Sequence, residues 1–299
     1  MSPLATVLIP TWDAPDTLGP AIETARAQTV VDIEILVVSD GAKPGTLAVA
    51  DAHAGADSRV RVLRLAKGEA RGERNRHEGV LAARSPVVVY LADDDLLLPL
   101  HVERLLAALA THDLAQSLNS YVDADDRLHL YAADLSDPAW HAYHLAEPPL
   151  NRISITGTAH TVEAYGRVAE GWIVPAPGVP ADLTLWRQFF RLPALRAITL
   201  PEVTALQFPA PERRGMSPER LRAQRERWEA FARSPDAHER LQELAAEAAL
   251  RDLVEAGLSL RGLVADFVTV SGALEAHRAT LSWRVMAPLR AVRRLTRRG

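Results

Sequence analysis

Residues 87–95 read Val-Val-Val-Tyr-Leu-Ala-Asp-Asp-Asp, an unbroken apolar run that delivers three consecutive carboxylates, after which Leu96-Leu97-Leu98-Pro99 is apolar again. A strand buried on both faces of a parallel sheet has this profile. Three adjacent acids repel one another, so a folded chain that gathers them at a strand end favours a neutralising cation. An acidic turn capping the next helix is the competing explanation. It fits less well, because the acids follow a core strand rather than lie in a polar loop.

The same rhythm of strand then helix occurs four times. Ala5–Ile9, Ile33–Val38, Val60–Leu65 and Val87–Leu91 read as strands. Between them, Leu18, Ile22 and Ala25 recur at helical spacing, a helical segment covers Thr46–Ala54, and a loop from Lys67 to Asn75 enters a helix carrying Val80 to Ala83. Such alternation specifies an α/β fold with a mostly parallel sheet covered by helices on both faces. Ligands of open α/β sheets bind beyond the C-terminal strand ends. There this chain places Thr11 and Asp13, then Asp40, then Arg71 and Arg74, then Asp93, Asp94 and Asp95. One site is therefore expected from four loops.

Further along, Ser117–Val122 and Arg127–Tyr131 alternate about Asp123–Asp126 as a hairpin, and a helix is expected over Leu183–Arg191. Strands or strand edges are expected in Ile153–Thr161, Gly171–Val174 and Leu195–Phe208. Beyond Pro209 the composition changes. Ser217-Pro218-Glu219 and Ser234-Pro235-Asp236 are helix starts, Gly257 is a C-cap signal, and a third helix is expected over Ser259–His277. We read residues 1–209 as the sheet domain, divided near residue 115, and 210–299 as a helical appendage packed on it or on a second copy. Within 281–299, Val285, Leu289, Val292 and Leu295 share one helical face and arginines occupy the other, which suits an anionic membrane surface.

A net charge of −4 gives no electrostatic case for nucleic acid. Cysteine is absent, which excludes a disulfide framework and thiolate chemistry and fits a reducing, cytoplasmic setting. Met1 to Leu4 is too short and uncharged to be a signal peptide, and no apolar stretch is long enough to span a bilayer.

Val7-Leu8-Ile9-Pro10-Thr11-Trp12-Asp13, Glu34–Gly41, Glu73-Arg74-Asn75 and Tyr90–Asp95 stand in the order and spacing of family 2 glycosyltransferases with the GT-A fold, which residues 5–208 resemble. The resemblance implies a nucleotide-diphospho-sugar donor linked through UDP, dTDP or GDP, a Mg or Mn ion, and inversion at the anomeric carbon. It sets the nucleoside against Pro10, Thr11, Asp13 and Asp40, and the diphosphate against Arg71 and Arg74, whose competing role is a salt bridge with Glu69 or Glu73. It makes Asp93 and Asp95 the D-x-D pair, with Asp95 the primary metal ligand. Asp94 contacts sugar hydroxyls or caps the following helix. The base that deprotonates a glycan or lipid-linked acceptor falls on Asp182, for which ordinary N-capping is the alternative. His160 is a candidate third metal contact or a structural histidine, and Trp172 and Trp186 either stack on an acceptor sugar or pack in the core. A sugar nucleotidyltransferase is disfavoured because the first loop lacks a glycine-rich basic segment. A nucleotide-sugar-binding protein without catalysis remains the alternative.

Overall fold

A computed structural model describes residues 2–279. The first half alternates as expected: β1 (Ala5–Thr11), α1 (Leu18–Arg26), β2 (Ile33–Asp40), α2 (Pro44–Ala56), β3 (Val60–Leu65), α3 (Glu73–Leu81) and β4 (Val87–Tyr90). Then come β5 (Leu96–Leu97), α4 (His101–Leu109), β6 (Leu114–Ser117), and the hairpin β7 (Ser120–Val122) and β8 (Leu128–Leu130). The remainder comprises α5 (Pro138–Leu145), β9 (Thr158–Thr161), α6 (Val162–Arg167), α7 (Ala181–Phe190), β10 (Ala197–Leu200), β11 (Ala205–Leu206), α8 (Pro218–Ala232) and α9 (Ala237–Ala279).

Seven strands form the central sheet in the order β10-β6-β9-β4-β1-β2-β3, and β9 alone runs antiparallel to its neighbours. Side chains alternate across a strand, so each apolar run supplies both faces. Val7, Ile9, Ile35, Val37 and Val89 pack with α1 and α4, while Leu8, Leu36, Val38, Val88 and Tyr90 pack with α3, α6 and α7. This double coverage is why strands β1, β2 and β4 lack the polar alternation of a half-exposed sheet.

The expected break at residue 209 is not where the fold divides. Among the described residues, 2–248 form one compact unit and 249–279 belong to a second. Trp228, Ala232 and Leu241 of α8 and α9 bury themselves against Leu96, Val122, Leu206 and Phe208. Each large apolar side chain so buried is worth about 1.5–3 kcal/mol, which makes 210–248 part of the sheet unit. Within the second unit, residues 249–279 are helical, and Gly257 does not end the helix. The basic segment 281–299 lies outside the described residues. No helix among the described residues is long and apolar enough to cross a membrane.

Candidate active site

The C-terminal ends of β1, β2 and β4 open into a cleft of about 580 Å³. On one side Pro10, Thr11, Trp12 and Asp13 continue from β1. Asp40, the last residue of β2, is 5% exposed. Its Oδ1 accepts hydrogen bonds from Gly68 N at 2.7 Å and Asn75 Nδ2 at 2.6 Å, and its Oδ2 accepts from Lys67 Nζ at 2.6 Å. A carboxylate offers about four acceptor sites, and three of those of Asp40 anchor the 67–75 loop. Trp12 is 49% exposed, with the ammonium groups of Lys43 and Lys67 5.4 and 5.7 Å from its ring centroid. These are the only two lysines in a chain whose other 34 − 2 = 32 basic Lys/Arg residues are arginine. Lys43 also pairs with Asp13 at 2.5 Å.

Helix α3 begins at Glu73 after Gly72, whose φ of 75° lies in the left-handed region. That start fixes which arginine faces inward. Arg71 and Arg76 line the cleft, whereas Arg74 is exposed outside it, so Arg76 stands in the cleft wall where Arg74 was expected. One turn along the helix from Arg76, Val80 is buried, while Arg74 shares the outer face with exposed Glu78. The Arg76 side chain is 16% exposed, its guanidinium stands 5.2 Å from the Trp172 ring, and its Nε has no partner. Burial pulls its pKa down, and Glu73, Asp182 and Asp40 oppose the shift. A buried guanidinium with an unused donor invites an anion.

The three acids of 93–95 do three different things. Asp95 N bonds Ala92 O at 3.2 Å, closing a turn that projects Asp93 and Asp94 into the cleft. Burial raises the Asp93 carboxyl to about 6, the Asp94 charge adds to the rise, and the neighbouring Thr11 hydroxyl opposes it. That hydroxyl, itself buried, completes no hydrogen bond of ordinary geometry. Asp94 is likewise raised by burial and held down by Arg213, whose Nη2 lies 3.0 Å from Oδ2. Asp95 turns away from the cleft: it is 6% exposed and its Oδ1 accepts from Phe208 N at 2.9 Å. Burial lifts its pKa well above the usual carboxylate range. The expectation that Asp95 is the primary metal ligand is therefore corrected: its carboxylate is engaged by Phe208 away from the cleft, and of the three acids only Asp93 and Asp94 line it. Asp95 instead secures the β5–β11 pairing that brings Phe208 alongside.

His160 is also corrected. It sits fully buried in β9, donates through Nδ1 to Thr161 O at 3.0 Å, and accepts at Nε2 from the Tyr90 hydroxyl at 2.8 Å. Burial lowers its pKa to about 4, so the ring is neutral with both nitrogens engaged and none left for a metal. Trp172 and Trp186 are buried core residues rather than exposed stacking platforms. Asp182 lies in the first turn of α7, accepts from Leu183 N at 2.9 Å, and is raised by burial against the opposing effects of the Leu183 N–H, Asn151 and Arg76. It does not line the cleft itself, but its charge is felt by Arg76, which does.

Residues 6–160 match the profile of glycosyl transferase family 2, just over half of the chain. The chain belongs to that family. EpsJ of Bacillus subtilis, an uncharacterised glycosyltransferase, is 30% identical over 105 residues, which cover 35% of this chain and 30% of EpsJ. The glycosyltransferase GlyG of Streptococcus pneumoniae is 28% identical over 127 residues, 42% of each chain. The family 2 chain thus spans less than half the length of these relatives in its matches. The first 349 residues of S. aureus TarS superpose with a TM-score of 0.50 at 14% identity, covering 82% of this chain and 70% of that one. The fold is the expected GT-A arrangement.

Of the residues picked from sequence, the family 2 cleft gathers Pro10, Thr11, Asp13, Asp40, Arg71, Asp93 and Asp94. It excludes Arg74, Asp95, His160 and Asp182, and adds Trp12, Lys67, Arg76 and Arg213. Rarity is the signal that would have found Lys67. Helical phase from Gly72 would have found Arg76. Nothing local points to Arg213, which is 119 residues from Asp94.

Proposed function

We propose that the cleft binds a nucleotide-diphospho-sugar and that the protein is an inverting, metal-dependent glycosyltransferase acting on a hydroxyl of a glycan or lipid-linked acceptor. The observation that carries this reading is the gathering of Asp93 and Asp94 with Arg71 and Arg76 in one cleft at the sheet's C-terminal edge. Two carboxylates with two guanidinium groups match a diphosphate accompanied by a hard divalent ion. Among the described residues, no cluster of three or more His, Asp or Glu side chains could hold a metal by itself. Asp93 and Asp94 suit an ion that completes its shell with donor oxygens and water, and the buried, mutually repelling pair gains from its charge. Bound there, Mg or Mn would supply electrostatic stabilisation to the departing diphosphate. TarS 1-349 has been crystallised with UDP, which makes uridine the first base to test. A region of Pasteurella multocida chondroitin synthase is 31% identical over 104 residues, 11% of that protein, which favours a polysaccharide setting.

In this mechanism Arg71 and Arg76 orient the diphosphate, Pro10, Thr11, Asp13 and Asp40 hold the nucleoside, and Asp182 takes the proton from the attacking hydroxyl. One observation favours a second reading, a nucleotide-sugar-binding protein without transfer: Asp182 lies off the cleft wall.

Thermal melts with UDP-, dTDP- and GDP-linked sugars, with and without manganese, test donor binding without any known acceptor. One donor is expected to raise Tm, more so with manganese, and at a hundred times Kd the gain is about 2.7 kcal/mol. No shift with any of the three would overturn the proposal. The pH dependence has a defined sign. Binding of a cation with the donor needs charged Asp93, whose pKa is about 6. Manganese-dependent affinity should hold steady above pH 7 and fall about tenfold per pH unit well below 6. In the ligand-free protein the raised pKa acts oppositely, because ionising Asp93 between its unfolded pKa and 6 costs stability as pH rises. Calorimetric titrations of Asp93→Asn should lack the acid-side loss; a loss matching that of the wild type would remove Asp93 from the site.

A further inference from the structure

Arg213 belongs to the segment between β11 and α8, and its surroundings differ from those of the other cleft cations. The segment is a succession of tight turns, with Glu212 N on Pro209 O and Met216 N on Arg213 O, both at 3.1 Å. Its two ends are fixed: Phe208 N is held by Asp95 at 2.9 Å, and Ser217 caps α8 through Arg220 N at 3.3 Å. Between those anchors the Arg213 side chain reaches the acidic turn and is only 12% exposed. Both of its hydrogen bonds, to Asp94 Oδ2 and to Phe208 O, are made by the single nitrogen Nη2. Its Nε is buried without a partner, although the guanidinium borders the cleft. Behind it stands Arg225, which is bonded to Asp16 O at 3.0 Å and adds a second positive charge.

An acid that a divalent ion would need is thus already neutralised by the protein's own cation, and that cation is bound through one nitrogen with a donor to spare. We infer that Arg213 is an exchangeable counter-ion that makes divalent-cation binding conditional on the nucleoside diphosphate. Without donor it occupies Asp94 and opposes the metal. When a diphosphate enters, the guanidinium passes to a phosphate oxygen, for which its planar fork is well shaped, and Asp94 is released to the ion. No covalent change is involved. The inference rests on the donor-binding reading above and adds an order of assembly to it. By linkage, whatever factor the nucleotide contributes to cation binding the cation returns to nucleotide binding.

The test titrates the full chain with Mn²⁺ alone and then with Mn²⁺ in saturating UDP, dTDP or GDP, reading free ion by electron paramagnetic resonance. Wild type should bind Mn²⁺ weakly alone and at least about tenfold more tightly with the nucleotide it accepts, a difference of about 1.4 kcal/mol. Arg213→Ala and Arg213→Gln should both tighten Mn²⁺ binding in the absence of nucleotide, weaken nucleotide binding, and lose most of the coupling. Arg214→Ala, at the exposed neighbouring position, should match wild type. Unchanged or weaker Mn²⁺ binding by both Arg213 variants, with nucleotide binding and coupling retained, overturns the inference and leaves the donor reading standing. A wild-type chain that binds none of the three nucleotides instead sinks the donor reading, and the conditional order with it.

Discussion

Asp182→Asn is expected to keep donor affinity within about twofold of wild type while kcat for transfer falls about 10³-fold, the scale on which a positioned general base contributes. The residue opens α7, where the unpaired N–H groups of the first turn stabilise a carboxylate, yet burial raises its pKa. A base whose proton affinity is lifted accepts a proton from a hydroxyl more readily. Asparagine retains an oxygen for the Leu183 N–H, so the helix start survives and the loss is chemical rather than structural. Donor binding measured by calorimetry and transfer measured on a glycan acceptor separate the two readings of the cleft. Full turnover by the variant would remove Asp182 from the mechanism.

The parts of the fold that were legible are those written in uninterrupted local pattern. β1, β2 and β4 are buried on both faces, and a doubly buried strand leaves a run of apolar residues that nothing else in the chain imitates. β9 leaves no such run. Thr158-Ala159-His160-Thr161 is short and mostly polar, and it is a central strand because β4 and β6 pair with it on either side. Its expected span from Ile153 was accordingly too long. Gly171–Val174 is not a strand: Gly171 has φ 66° and lies against the Tyr165 hydroxyl, so its role is a close turn under Trp172. Changed composition after Pro209 suggested a separate helical body, but composition does not report which face of a helix is buried, and the Trp228 indole N–H donates to Asp126, 102 residues upstream.

The site divides in the same way. Strand ends announced Thr11, Asp40 and the acidic triplet, because ligands of this topology gather there. Which acids of the triplet face the cleft was decided elsewhere, by the turn at Ala92 and by Phe208, 113 residues from Asp95. A triplet in which Asp95 was expected to hold the metal and Asp94 to meet the sugar or cap a helix becomes one acid open to the cleft, one ion-paired with Arg213 and one structural. His160, for which a metal contact and a structural role were both open, takes the structural one, since it is enclosed by Tyr90, Tyr165 and Phe189.

Gly72→Ala should abolish detectable donor binding. Gly72 holds φ at 75°, and a Cβ built there would lie 2.4 Å from both Cγ and Oδ2 of Asp40. Asp40 has little freedom to yield, because Gly68, Asn75 and Lys67 all donate to it. The backbone conformation alone should cost about 1–3 kcal/mol in a residue with a side chain. Gly178→Ala provides the matched comparison: its φ is 81°, yet nothing lies within 4 Å of a Cβ at that position. Both substitutions therefore carry backbone strain, and both should lower Tm. Only Gly72→Ala adds the collision that dislodges Asp40 and with it the loop bearing Lys67 and Arg71. Donor titration of the two folded variants distinguishes general destabilisation from loss of the nucleoside pocket, and wild-type affinity in Gly72→Ala would show that the Asp40 carboxylate is not part of that pocket.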